Sequence, residues 1–156
     1  MIMIAALLLA QATASANLVD ANNKPVGTAK LTQTPHGLLI SVDLHDLKPG
    51  THAIHLHETG KCEGPAFKTA GGHFNPAKKE HGFMSAGGAH AGDMPNLDVP
   101  AGGAVKAELF APDATLDALI DADGGAIVVH AKADDYKSQP AGDAGDRVAC
   151  GVVEKK

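Results

Sequence analysis

The sequence predicts an all-β domain, a sandwich or barrel of short strands. Three observations carry this. The 156 residues hold 18 glycines and 9 prolines, which punctuate the chain too often for long helices. Several segments between these breaks alternate apolar and polar side chains with the period of two that a half-buried strand requires. Aromatic residues make up only 3% and tryptophan is absent, so the core must come from Val, Leu, Ile and Ala. A chain of this length forms one domain with a real core.

Gln11 to Asp20, rich in Ala and Thr, reads as a first strand, and Ala21-Asn22-Asn23-Lys24-Pro25 as a turn. Val26 to Gln33 is a second strand, followed by the turn Thr34-Pro35-His36-Gly37. Leu38 to His45 sets Leu38, Ile40, Val42 and Leu44 on one face and Ser41, Asp43 and His45 on the other. After Lys48-Pro49-Gly50, Thr51 to Glu58 forms the next strand. Ile54 and Leu56 face the core there, while His55 and His57 share the opposite face, side by side. Such a pair can take one metal ion. His52 falls on the core side and suits a hydrogen-bonded structural role, whereas His36 and His45 belong to the surface.

A long stretch with little apolar continuity follows. From His52 to Asp93 the chain carries six of its nine histidines, one cysteine and a terminal aspartate. Imidazole and carboxylate are ligands for zinc and copper, so this loop takes its shape from metal bonds rather than from a core. Asn96 to Val99 and Ala104 to Phe110 then flank a Pro100-Ala101-Gly102-Gly103 turn. Thr115 to Ile120 is a helical turn or a short strand. Ala126 to His130 is a strand ending on a histidine, Ala131 to Asp146 a second polar loop, and Arg147 to Val153 the closing strand.

Net charge is -5, with no basic block longer than two lysines, which speaks against a nucleic-acid partner. Arg147 is the only arginine. Residues 1–12 read as a secretory signal peptide: an apolar run from Met1 to Ala10, too short to span a bilayer, and then small residues. Small-x-small cleavage patterns place its end between 10 and 16, leaving 13–156 as the mature domain. The n-region lacks its usual positive charge. No membrane partner is expected for the mature chain. Cys62 and Cys150 are either two separate buried thiols or a disulfide, and export favours the disulfide.

The spaced motifs together resemble the copper/zinc superoxide dismutases, in their bacterial exported branch. They are Gly50-x-His52-x-x-His55-x-His57, Gly71-Gly72-His73-Phe74-Asn75-Pro76, His81-Gly82, His90-x-Gly92-Asp93, Val128-Val129-His130-x-Lys132-Ala133-Asp134-Asp135 and Gly145-Asp146-Arg147-Val148-Ala149-Cys150-Gly151. The resemblance spans Val26 to Val153 with the motifs in family order. It implies an eight-stranded antiparallel Greek-key β-barrel or sandwich with two long functional loops. It implies copper bound by His55, His57, His73 and His130, and zinc bound by His73, His81, His90 and Asp93. His73 would bridge the two ions and cycle a proton during turnover. Asp134 would hydrogen-bond His55 and His81, and Cys62 and Cys150 would form the family disulfide. Arg147 would dock the superoxide anion beside copper, with Lys61, Lys68 and Lys137 as candidates for steering it.

The implied activity is dismutation of superoxide to dioxygen and hydrogen peroxide in an exported protein, periplasmic in a bacterium, as a homodimer or a monomer. Two other functions are compatible with the fold. A non-enzymatic copper carrier or chaperone would be expected to lack a copper ligand or the arginine, and both are present. A structural domain with zinc alone would leave His55, His57 and His130 without a reason to be together. The sequence departs from the best-known members at Ala53-Ile54, where they have glycine and an aromatic, and the Ala131–Asp146 loop follows the bacterial branch.

Overall fold

The computed structural model describes residues 11–156, so the signal peptide assigned to residues 1–12 lies outside the described residues except for its last two positions. The chain forms β1 (Thr13–Asp20), β2 (Pro25–Thr34), β3 (Gly37–Leu44), β4 (Gly50–His52), β5 (Ile54–His57), β6 (Leu97–Val99), β7 (Val105–Ala111), β8 (Gly125–His130) and β9 (Arg147–Lys155). Seven of these pair in the order β5-β8-β9-β1-β2-β3-β7, and β4 pairs with β6. All pairings are antiparallel.

Nine strands appear among the described residues where eight are implied, because the segment expected to run unbroken from Thr51 to Glu58 changes partner at Ala53. The Ala53 N–H donates to the Lys132 carbonyl (2.8 Å), and its carbonyl accepts from the His130 N–H (2.9 Å). Residues before Ala53 therefore pair with β6, and residues after it with β8. With β4 and β5 taken as one bent strand, eight strands curl round the core. The chain crosses the barrel from β3 to β4, returns so that β7 lies beside β3, and crosses again to β8, which is Greek-key connectivity. Thr115 to Ile120 resolves into a single helical turn, α1 (Leu116–Leu119), capped by the Thr115 hydroxyl accepting from the Ala118 N–H.

The alternation read in β3 is kept: Leu38, Ile40, Val42 and Leu44 are buried, and Ser41 and Asp43 are exposed. Each such side chain stabilises the fold by about 1.5–3 kcal/mol on burial. In β5 and β8, by contrast, every residue is buried. Ile54 and Leu56 face the barrel core, while the face that carries His55 and His57 lies under the long loop instead of meeting solvent. A second, smaller core of Phe67, Ala70, Ala126, Val128 and Cys150 packs between that loop and the outside of the sheet.

Candidate metal centre

Alternation in β5 puts His55 and His57 on the face away from the barrel core. His130 ends β8, just past a register shift between Val129 and His130, with Arg147 as its partner on β9. The other edge of β5 carries no full strand. Single backbone bonds from the loop occupy it, Phe74 N–H to Leu56 O (2.8 Å) and Leu56 N–H to Gly92 O (2.9 Å), and Gly92 N–H joins the two loop segments at Phe74 O (2.8 Å). These bonds bring His73 opposite His57 and Asp93 opposite His55. Gly92 must be glycine at this crossing, because a Cβ would run into the Leu56 carbonyl.

His55, His57, His73 and His130 each place one ligand atom within 4.8 Å of the others, and all four residues are buried. On each ring one nitrogen is occupied. His55 Nε2 bonds Asp134 Oδ2 (2.8 Å), His57 Nδ1 donates to Gly71 O (3.0 Å), and His130 Nδ1 donates to Gly145 O (3.3 Å). His73 Nδ1 lies 2.9 Å from Asp93 Oδ1. The remaining nitrogens, His55 Nδ1, His57 Nε2, His73 Nε2 and His130 Nε2, are buried without any hydrogen-bond partner among the described residues. Carbonyl and carboxylate acceptors fix the tautomers and leave a lone pair on each free nitrogen. Four stranded polar atoms in one place cost free energy unless a cation takes them up. This donor set fits copper, which accepts imidazole in both oxidation states.

His73, His81, His90 and Asp93 form a second group within 4.8 Å. His73 Nδ1, His81 Nδ1 and His90 Nδ1 lie 2.9, 3.0 and 3.4 Å from Asp93 Oδ1, and His90 Nδ1 is 3.2 Å from His73 Nδ1. Three imidazole nitrogens and one carboxylate oxygen are a tetrahedral zinc set. Asp93 Oδ2 accepts the N–H groups of Gly82 (2.9 Å) and His90 (3.0 Å), which orients the carboxylate. Asp134 joins the two groups, with Oδ2 on His55 Nε2 and Oδ1 on His81 Nε2 (2.9 Å). Gly142, in the left-handed region at φ +70°, packs against this bridge. A Cβ there would collide with Asp134 Oδ1 and His81 Nε2.

The charges follow the geometry. Burial pushes His55 down to about 4, against the hydrogen bond to Asp134. Burial, with His55 alongside, takes His130 to about 3, and burial holds His57 well below its usual range. Neutral imidazole is the ligand form. His81 goes the other way: burial opposes its charge, but Asp134 and Asp93 raise it to about 9. Burial likewise works against ionising Asp93 and Asp134, yet their histidine partners keep both carboxyls far below the ordinary carboxylate range.

Arg147 is half-buried and its guanidinium is already engaged. Nη1 donates to Phe67 O (2.7 Å) and Nη2 to Gly71 O (2.6 Å), the same carbonyl that orients His57. It lines a cleft of about 520 Å³ with Pro65, Lys68 and Asp146. Lys61 and Lys137 are exposed and do not line that cleft. Cys62 and Cys150 form a disulfide across 88 residues, tying the loop to β9. His52 stays outside both groups, its ring nitrogens 2.7 Å from the carbonyls of His130 and Lys48. Sequence reasoning missed the loop-tying bonds of Arg147 and the role of Gly142, which lies outside every motif.

Residues 25–153 match the family model for copper/zinc superoxide dismutase. The chain is 46% identical over 145 residues to the Cu-Zn superoxide dismutase 1 of Aquifex aeolicus, covering 89% of this chain and 86% of that protein. It is 44% identical over 149 residues to the Cu-Zn superoxide dismutase of Caulobacter vibrioides, covering 91% and 86%. The crystal structure of a SOD-like protein from Bacillus subtilis superposes with a TM-score of 0.86 at 40% identity, covering 88% of this chain and 96% of that one. The Cu/Zn superoxide dismutase from Brucella abortus superposes with a TM-score of 0.77 at 32% identity, covering 91% and 99%. The chain belongs to the copper/zinc superoxide dismutase family.

Proposed function

We propose that the chain dismutates superoxide, with copper held by His55, His57, His73 and His130 and zinc by His73, His81, His90 and Asp93. One observation carries the reading: four buried, unpartnered imidazole nitrogens converge on one point and share His73 with a three-imidazole, one-carboxylate group. Copper supplies the redox chemistry, by which one superoxide is oxidised to dioxygen and a second, with two protons, is reduced to hydrogen peroxide. The residues of the chain do the rest. Asp134 fixes His55 and His81 together. Arg147 offers a permanent positive charge and paired donors to a small anion. Because the chain has net charge -5, attraction of an anion must be local, focused by Arg147 and the adjacent Lys68.

The reading extends to export. A disulfide persists in an oxidising compartment, which in a bacterium is the periplasm. Ala14 and Ala16 are buried in β1, and Ala14 pairs with both β2 and β9. Removal of residues 1–12 leaves that strand whole, whereas cleavage after Ala14 or Ala16 would cut into it. The test is metal content, mass and dismutase activity of the exported protein. One copper and one zinc per chain, a mass matching residues 13–156, and activity well above that of free copper are expected. A fully loaded protein without activity would leave a copper carrier, and zinc alone would leave a structural domain.

A further inference from the structure

Two side-chain amides outside both ligand groups perform the same task from opposite loops. Gln139, in the second long loop, accepts the His81 N–H at Oε1 (2.8 Å) and donates from Nε2 to the His81 carbonyl (2.9 Å). Asn96, where the first loop returns to β6, accepts the Asp134 N–H at Oδ1 (2.8 Å) and donates from Nδ2 to the Asp134 carbonyl (2.9 Å). A backbone N–H can only donate and a carbonyl only accept, so each amide has a single possible orientation. The gripped residues are themselves joined, His81 Nε2 to Asp134 Oδ1 at 2.9 Å. The first loop therefore holds Asp134 of the second, and the second holds His81 of the first.

The need for this follows from burial. His81 and Asp134 are 0% and 3% exposed, and neither belongs to a strand. The His81 N–H and both backbone groups of Asp134 would otherwise be stranded away from water, while the His81 carbonyl also accepts the Ser85 hydroxyl (2.6 Å). Tyr136 closes the same knot, its hydroxyl accepting the Asn96 N–H (2.8 Å) and its own N–H donating to Asp134 Oδ1 (2.6 Å).

We propose that Asn96 and Gln139 are positioning residues, a reciprocal amide clamp that sets the angle at which His81 presents Nδ1 to zinc. The proposal rests on the reading of His73, His81, His90 and Asp93 as zinc ligands. Copper binding depends less on the clamp, because His55, His57 and His130 are set by strand ladders.

The test uses the full mature chain as wild type, Asn96→Ala, Gln139→Ala, the double variant and Gln139→Glu. Zinc affinity is measured by chelator competition, and the geometry of the zinc site by the absorption spectrum of cobalt(II) bound there. Each alanine variant is expected to bind zinc about tenfold more weakly, the lower end of the range for partners that orient ligands. The double variant should lose less than the product of the two, since both act through the single His81–Asp134 contact. Gln139→Glu keeps the acceptor for the His81 N–H but loses the donor, so it should fall between wild type and Gln139→Ala. The cobalt spectrum should change in the alanine variants. Gln139 is exposed, so its variants carry the test should Asn96→Ala fail to fold. Variants that lower the stability of the metal-free protein yet keep wild-type zinc affinity and cobalt spectrum would overturn the clamp, as would losses that multiply. Wild type that binds no zinc would overturn the metal-centre reading and the clamp with it.

Discussion

β3 and the loop that follows β5 are built by opposite rules. In β3 every residue from Leu38 to Leu44 is registered against β2 on one side and β7 on the other, and burial alternates along that run. Between β5 and β6 the only regular element is a 3₁₀ turn at Lys68–Ala70. That loop is shaped by individual ties: single bonds onto the edge of β5, a disulfide, the fork of Arg147 and two amide clamps. The contrast divides the metal centre as well. His55, His57 and His130 sit on ladders, so three of the four proposed copper ligands are placed by the sheet. His81, His90 and Asp93 sit on the tied loop. The difference teaches that the copper half is a property of the barrel, while the zinc half is a property of whatever holds the loop.

Breaking the longest tie should give the largest effect. Replacing Cys62 and Cys150 together with serine opens a span of 88 residues. In the chain-entropy model this costs about 4–5 kcal/mol of stability. The urea midpoint of the metal-free protein should fall accordingly, and an unchanged midpoint would refute the estimate. Amide exchange should sharpen the division: residues 58–96 should lose protection while β1, β2 and β3 keep theirs. Equal loss in both would mean that the loop and the barrel open as one unit.

Asp134 touches both halves without belonging to either proposed ligand set, so it tests whether they separate. Asp134→Ala deprives both His55 Nε2 and His81 Nε2 of their partner, but His55 is still held by its ladder with β8 whereas His81 sits on the loop. Zinc affinity should fall about 10–100-fold, the usual cost of losing a partner that orients a ligand. Copper affinity should fall less. Chelator competition with each metal measures both, and an equal loss at the two sites would contradict the ladder-against-loop distinction.

The same division marks how far the sequence could be read. Ladder-built features have a period, so β3 and the pairing of His55 with His57 on one face are legible from alternation alone. The loop ligands have no period, and their assignment came from the spacing of motifs in a family. What stayed hidden depends on contacts between segments far apart in the chain. The partner change at Ala53 is decided by the backbone of Lys132 and His130. Asn96 and Gln139 are uncharged amides in polar surroundings, and nothing local says whose backbone they will grip. The full burial of β5 was equally invisible, because alternation shows which side chains share a face but not that a loop will cover it.

The smallest expected effect, at Arg147, asks whether the loop's own tether also serves the substrate. The family resemblance implies a group that docks the anion beside copper. The structure adds two bonds, to the carbonyls of Phe67 and Gly71, and Gly71 O also orients His57. Arg147→Ala therefore removes a charge and loosens the loop at once. Losing one charge-assisted contact costs about 1.5 kcal/mol at the low end, or roughly tenfold in the second-order rate. Ionic strength separates the two causes. An electrostatic contribution fades as the screening length falls from about 10 Å at 0.1 M salt to about 3 Å at 1 M, so the variant and wild type should converge. A defect in loop position would persist at every salt concentration. Arg147→Lys keeps the charge but cannot reach two carbonyls as a planar fork does, so it should recover the salt-dependent part and not the rest. Rates for the three proteins across ionic strength, with copper and zinc content matched, make the measurement. A gap between wild type and Arg147→Ala that does not change with salt would reduce Arg147 to a tie of the loop.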